Sequence, residues 1–515
     1  MEQRAQDPAS WYLTRRLFLA GIAATFAIAF VSLVVQVEGL FGARGITPLA
    51  ERMQALRAQL QGWERWQLPT LLWFGASDAR IALLCWLGLA LALCALVGLV
   101  PRLALAGCWA LYLSLVCVGW PFLSFQWDVL LLEAGLLAVV WAPDGLQPFG
   151  RGERAPARVT RWLIYWLLFR LMVLSGAVKL ASGDPSWRDG TALDFHYWTQ
   201  PLPHRLGYFA HWMPEGFKRF SMLTVFVIEL GAPCLLLVPR GRRALRQIVA
   251  AAVVFLMATI SATGNYGFFN CLTCVLCIPL LDDRAWRRLL PRVGPVLAVS
   301  HVAPARWRRV ALAIFAVLAV VPTTGLALGE LGEFWSQRTE PPLIHEPEAR
   351  PPAVLRGLVS LCEPVIGLVS PLASFNSYGL FRVMTKERPE ILVEGSDDGI
   401  AWKPYRFRYK PLELERAPVF AGLHMPRLDW QLWFAGLEHD QPWRSEWTRA
   451  FLRRLLEGSP SVLGLLRENP FPDQPPRFVR AMVALYRFST PEERDGSGAW
   501  WQRGEPQLFL PVEER

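Results

Sequence analysis

YLTRRLFLAGIAATFAIAFVSLVVQV, residues 12–37, carries two arginines near its start and then runs to Val37 without another charge. A bilayer core of roughly 30 Å takes about 20 apolar residues as a helix, and only helices or closed barrels satisfy their backbone hydrogen bonds inside it. The run therefore reads as a spanning helix. It is too long for a signal peptide and lacks a small-residue cleavage site, so it is expected to stay as an anchor. Eight further apolar stretches follow at 81–100, 103–119, 124–142, 161–181, 220–239, 247–264, 267–281 and 309–329. The expected fold is a multi-pass α-helical membrane protein of about nine spans, with an α+β domain after them.

The arginines between the short-loop spans fall almost entirely on every second connection. One set comprises Arg4, Arg15 and Arg16, then Arg102, then Arg151 to Arg161, then Arg240 to Arg246, then Arg284 to Arg309, whereas the turns at Pro121 and Asn265 have no basic residue. Basic residues are retained on the cytoplasmic side of short loops. The N-terminus is thus expected inside, and everything after residue 330 outside the cytoplasm. Residues 1–329 hold 30 Lys and Arg against 17 Asp and Glu, and the remainder 23 against 26, so the net charge of +10 follows membrane topology. A nucleic-acid footprint, which needs a basic face on a soluble domain, is excluded. The 48 Arg beside 5 Lys point to a GC-rich, bacterial-type coding bias.

Residues 330–375 read as a Pro-rich linker (Glu340 to Pro342, Arg350 to Pro352) and an apolar connecting segment, and 376–515 as the extramembrane α+β domain. Ile391 and Val393 lead through the Ser396–Gly399 turn into Tyr405, Phe407 and Tyr409, which alternate with basic residues as a hairpin with one buried face. Trp430, Trp433 and Phe434 repeat at helical spacing, a second helix ends at Gly458, and Val479 to Phe488 is apolar on both faces, as a central strand is.

Ionisable side chains inside the spans are the first candidates for function. Asp128, Glu133, Arg170, Lys179 and Glu229 are costly there and normally face one another or a wet cavity. Arg170 is expected to pair with Glu229 or Glu133, and Lys179 to snorkel toward the outer surface. Cys271, Cys274 and Cys277 share one helical stripe and admit a metal site or simple packing; in an apolar segment, packing is favoured. Eight of the nine cysteines lie in expected spans, leaving Cys362 outside them. The loop 182–219 carries Asp184, Asp189, Asp194, His196, His204 and His211 without the i, i+4 pair of a helical zinc motif, so no metal or cofactor is expected. Its Trp187, Phe195, Tyr197, Trp198 and Trp212 read as headgroup-layer aromatics. Residues 50–70, with Leu56, Leu60 and Trp63 at helical spacing, read as a segment lying on the membrane.

GARGI (42–46), FQWDVLLLE (125–133), SGDPSW (182–187), LDFHY (193–197), TQPLP (199–203), GNYGFFN (264–270) and DWQ (429–431) resemble the lipase maturation factor family, and the likeness runs from Trp11 to about Leu510. It implies a maturation factor of the endoplasmic reticulum membrane, or of the inner membrane in a bacterium. Such a factor would assist an exported client, of which a dimeric lipase is one type, through a domain on the far side of the membrane. No catalytic residue is implied, and Tyr405, Trp430 and Trp433 are the candidate client contacts. The helical part is also distantly similar to vitamin K-dependent carboxylases, through Trp127 and Asp128. That similarity implies a membrane enzyme with Lys179, Asp128, Glu133 and His196 as acids and bases. A transporter is disfavoured because no inverted repeat or pair of broken half-helices is evident. Oligomeric state is not legible.

Overall fold

The computed structural model describes residues 10–145, 155–238, 242–292, 305–337, 352–441 and 445–515. The Pro-rich stretch 338–351, and with it most of the expected linker, lies outside these, as do Arg4, Arg151 and Arg154.

Among the described residues nine apolar helices follow in order: α1 (Tyr12–Val34), α2 (Asp78–Leu96), α3 (Pro101–Val116), α4 (Gln126–Trp141), α5 (Arg158–Ala181), α6 (Glu215–Leu237), α7 (Arg242–Thr263), α8 (Phe269–Leu280) and α9 (Arg306–Gln337). A tenth, α10 (Ala353–Val369), falls where a connecting segment was expected. Among the described residues seven helices are long and apolar enough to cross a membrane, with α3, α4 and α8 shorter, and the protein is an integral membrane protein. Helices α1 and α5 form the centre of the bundle. Small residues allow close approach there, with Gly21 against Val275 and Gly135 against Phe26.

At one end of the bundle Asp283 caps α1, accepting from the N–H groups of Tyr12 (2.9 Å) and Thr14 (2.9 Å), as a carboxylate at a helix N-terminus should. Arg161 lies over the Trp11 ring, and Arg102 and Arg308 both reach Asp144. Arg102, Arg161, Arg246 and Arg308, from four of the arginine-bearing connections, are thereby gathered at this end. The C-terminal domain covers the other.

Helix α10 packs antiparallel to α9, with Cys362 and Ile366 against Gly325 and then Phe375 beside Phe315. Cys362, expected outside, is therefore part of the bundle. Beyond α10 the chain turns at the depth of Trp109, whose indole donates to Ser374 Oγ (2.9 Å), and climbs as extended backbone past Glu133 and Gln126 to Asp184. The segment thus enters and leaves at the same end. Non-helical backbone at membrane depth is tolerated only where protein surrounds it, and α3, α4 and α5 do so here.

The C-terminal domain holds a five-stranded antiparallel sheet: β1 (Pro389–Ser396), β2 (Lys403–Pro404), β3 (Phe478–Phe488), β4 (Trp501–Arg503) and β5 (Gln507–Glu514). Strand β3 is central, pairing with β1, β4 and β5, with Ile391 opposite Val483 and Val393 opposite Ala481. Helices α11 (Arg427–Leu437) and α12 (Glu446–Leu456) cover one face. The expected second hairpin strand is only two residues long. After Pro404 the chain leaves β1 and Arg406 bridges Glu468, burying Tyr405 and Phe407. Strand β1 is buried on both faces, while β2 is exposed. Leu392, Ala484, Tyr486, Phe488 and Trp501 pack on Leu193, Tyr197 and Tyr208 of the 182–214 loop. Trp187 and Tyr197 therefore lie beneath protein and not in a headgroup layer; Trp212 is 40% exposed. In the 50–70 segment a helix spans Leu49–Gln59 with Leu49 and Met53 buried, and Trp63 and Trp66 are exposed beyond it.

Candidate functional site

Helix periodicity decides which buried charges meet. At 3.6 residues per turn, Asp128 and Glu133 lie about 140° apart around α4, and Arg170 and Lys179 about 180° apart around α5. One network of five is thereby excluded, and the structure holds three separate groups.

In the first, Arg170 bonds Glu133 and its Nη1 donates to Asn376 O (2.5 Å). Tyr378 Oη donates to Glu133 Oε2 (2.7 Å), as does the Asn376 N–H (3.3 Å). This pair holds the re-entrant chain. In the second, Lys179 Nζ donates to both oxygens of Glu229 at 2.7 Å. Snorkelling is thus corrected: Lys179 is 4% exposed because Glu229 offers a full partner within reach. Glu229 sits in a π-turn at Val227–Gly231 of α6, where Pro233 supplies no N–H to the carbonyl four residues back.

In the third group Asp128 receives a bidentate Arg427 (2.7 and 3.0 Å) and the Tyr112 hydroxyl (2.6 Å). Arg427 also donates to Phe122 O (2.6 Å), and its backbone N–H to Gln36 Oε1 (2.8 Å). Asp128 and Arg427 are fully buried, one in the bundle and one in the C-terminal domain.

The same seam continues along the cap. Arg388, itself fully buried and paired with Glu390, donates to the carbonyls of Trp198 (2.8 Å), Gln200 and Pro201 (3.0 Å), and Trp433 Nε1 to Thr199 O (2.9 Å). Asn265 holds Leu202 O (3.1 Å) and Val419 O (2.8 Å) and accepts from the Ala421 N–H. Tyr266 Oη donates to Gln200 Oε1 (2.8 Å) and lies 3.3 Å from His196 Nε2. Gly264 has no room for a Cβ beside Gln200, and Gly267, at φ +54°, meets Met425.

Residues 13–288 match the family described as "Lipase maturation factor transmembrane domain" and 374–511 that described as "Lipase maturation factor C-terminal domain". The chain belongs to the lipase maturation factor family. It is 36% identical to Lipase maturation factor 2 of Homo sapiens, covering 97% of this chain and 82% of that one, and 36% identical to the Gallus gallus counterpart, covering 97% and 81%. To Lipase maturation factor 1 of Homo sapiens it is 32% identical over 98% of this chain and 88% of that one. No solved structure matches.

Against this family background, the motif residues Asp128, Glu133, Thr199, Gln200, Pro201, Asn265 and Tyr266 all make contacts at the seam, and Asp429 lines a cavity there with Gln36. The four acid and base candidates of the enzyme reading do not form one constellation. Asp128 and Glu133 are each committed to an arginine, while Lys179 and His196 line a different cavity. The candidate client contacts are corrected too. Tyr405, Trp430 and Trp433 are 1%, 4% and 8% exposed, because Tyr405 folds under Phe471 and Trp430 packs on Trp127 and Tyr266. Among the described residues no cluster of His, Cys, Asp and Glu could hold a metal, and the Cys277 thiol donates to Thr273 O.

Asp429 is the seam's titratable group. It accepts the Tyr409 N–H (2.9 Å), and burial pushes its carboxyl up to about 6 despite nearby Lys410. His424 in the adjoining cavity is held down to about 4 by burial and stays neutral in the window concerned. A carboxyl whose folded-state value is raised binds its proton more tightly folded than unfolded, so stability falls as pH rises through that value. The melting temperature of the wild type should rise relative to Asp429→Asn as pH falls from 7.5 to 5, with the greater part of the rise below 6. Parallel melting curves would refute the assignment.

Proposed function

We propose that this protein is a membrane-embedded maturation factor that helps exported lipases reach their folded, active state without chemistry of its own, with its C-terminal domain on the non-cytoplasmic side. The observation that carries the proposal is the likeness to proteins named lipase maturation factors across 97% of the chain, helical and C-terminal parts together. The arginine-bearing connections at the end of the bundle away from the C-terminal domain support the orientation. By the same likeness the membrane is that of the endoplasmic reticulum, or the inner membrane of a bacterial host. The seam supports a single rigid platform rather than a tethered domain, since Arg427, Arg388 and Trp433 of the C-terminal part are all buried against the bundle.

The test is co-expression with a secreted dimeric lipase in cells lacking their own factor, reading lipase activity per mass of secreted lipase. The full chain should raise that specific activity, and the paired replacement of Lys179→Met with Glu229→Leu, and His196→Gln, should preserve the gain. Loss of the gain in those two variants at normal folded levels would favour an enzyme, and no gain from the full chain would sink the proposal.

A further inference from the structure

Between α5, α6, α7 and the start of α8 lies a cavity of about 380 Å³, within the range of small-molecule sites. Its walls are mostly apolar, among them Leu171, Phe220, Phe255 and Phe269. Phe220 and Phe255 are 66% and 59% exposed, so the rim faces the surface that the bilayer covers. Its inner end is polar, formed by the Lys179–Glu229 pair with His196, Tyr266 and Asn270. Among the described residues, no hydrogen bond or ion pair that joins the C-terminal domain to the bundle uses the Lys179–Glu229 pair.

The polar end carries no net charge. Lys179 and Glu229 neutralise each other, and burial beside Lys179 holds His196 down to about 4, as a neutral imidazole. An ionised headgroup would have to break the buried pair, which costs several kcal/mol per unpaired ion. Hydrogen-bonding capacity nevertheless remains. An ammonium has three N–H groups, and Glu229 takes two of them. Because Tyr266 donates to Gln200, His196 donates through Nε2 to the Tyr266 oxygen and keeps Nδ1 as an acceptor. A donor and an acceptor thus stand at the end of an apolar slot whose volume suits one chain.

We propose that this cavity binds an uncharged single-chain lipid entering from the bilayer, its carbonyl received by Lys179 and a hydroxyl by His196, the chemistry of a monoacylglycerol. The π-turn at Glu229 is what places the pair on the cavity wall.

The test uses the full-length protein in phosphatidylcholine nanodiscs with three photoactivatable probes: a diazirine monoacylglycerol, a diazirine fatty acid and a diazirine phosphatidic acid. Crosslinks are mapped by peptide. The monoacylglycerol should label residues 217–224 and 255–263 about tenfold more than the lipid-facing surfaces of α2 and α9, and about tenfold more than either charged probe does. Excess unlabelled monoacylglycerol should suppress that labelling. Thr259→Trp, at a lining position open to the lipid side, should abolish it with folding intact. Even labelling of all lipid-facing helices, preference for a charged probe, or labelling that survives competition would each overturn the proposal; competition decides it even if Thr259→Trp fails to fold.

Discussion

Arg427→Ala should leave little folded protein in the membrane, although Arg427 belongs to neither a catalytic group nor a span. The substitution removes both guanidinium donors to Asp128 and strands a fully buried carboxylate with only the Tyr112 hydroxyl beside it. Removing one partner of a buried pair costs about 3 to 5 kcal/mol, a large share of a stability of about 5 to 15. The Phe122 carbonyl and the Tyr112 hydroxyl lose a partner as well. Arg427→Lys should rescue little, since an ammonium cannot reproduce the bidentate fork. By contrast Arg427→Met combined with Asp128→Leu and Tyr112→Phe should recover much of the folded protein, because apolar replacement of a whole buried group is often neutral. The measurement is the melting temperature of the purified protein together with the monodisperse fraction. Arg427→Ala with wild-type values in both would show that the C-terminal domain is not secured through Asp128.

The spans were legible because bilayer thickness imposes a length and composition that no tertiary contact has to supply. The central strand β3 was legible for a similar reason, since burial on both faces writes an unbroken apolar run. Partners of the buried charges were legible only when both lay in the helical part. Arg170 and Glu133 carry charge at membrane depth, which marks them, whereas Arg427 lies 299 residues from Asp128 in a stretch that reads as an ordinary helix start. Its one local signal was its place two residues before the DWQ motif. Helical spacing favours core positions for Trp430 and Trp433 over client contacts, and what it left hidden is the element that covers them, because spacing states that one face is covered and not by what. Here the cover is the bundle itself. Helix α10 was misplaced because an apolar stretch after a proline-rich run has the same composition whether it crosses, re-enters or connects.

Arg170→Ala should free the re-entrant chain and expose it from the end of the bundle that carries the C-terminal domain. The extended residues 374–379 have no helical hydrogen bonds at a depth where no water can replace them, so their polar groups depend on named side chains: Trp109 to Ser374, Arg170 and Glu133 to Asn376, Gln126 to Gly379. Arg170 supplies two links at once, since it holds the Asn376 carbonyl and also fixes the Glu133 carboxylate that receives Tyr378. Without it Glu133 is an unpaired charge among apolar neighbours, and admitting water by letting the segment leave is the relief open to it. A reporter exists in Ser377, whose hydroxyl has no hydrogen-bond partner among the described residues and which a cysteine replaces with little change of size. With Ser377→Cys alone, a membrane-impermeant maleimide should label that peptide from neither side, while adding Arg170→Ala should make it reactive from the side of the C-terminal domain. Glu133→Gln, which keeps an acceptor for Tyr378, should fall between them. If Ser377→Cys reacts fully in the otherwise unaltered protein, or reacts from the arginine-bearing side, the chain between α10 and β1 is not re-entrant.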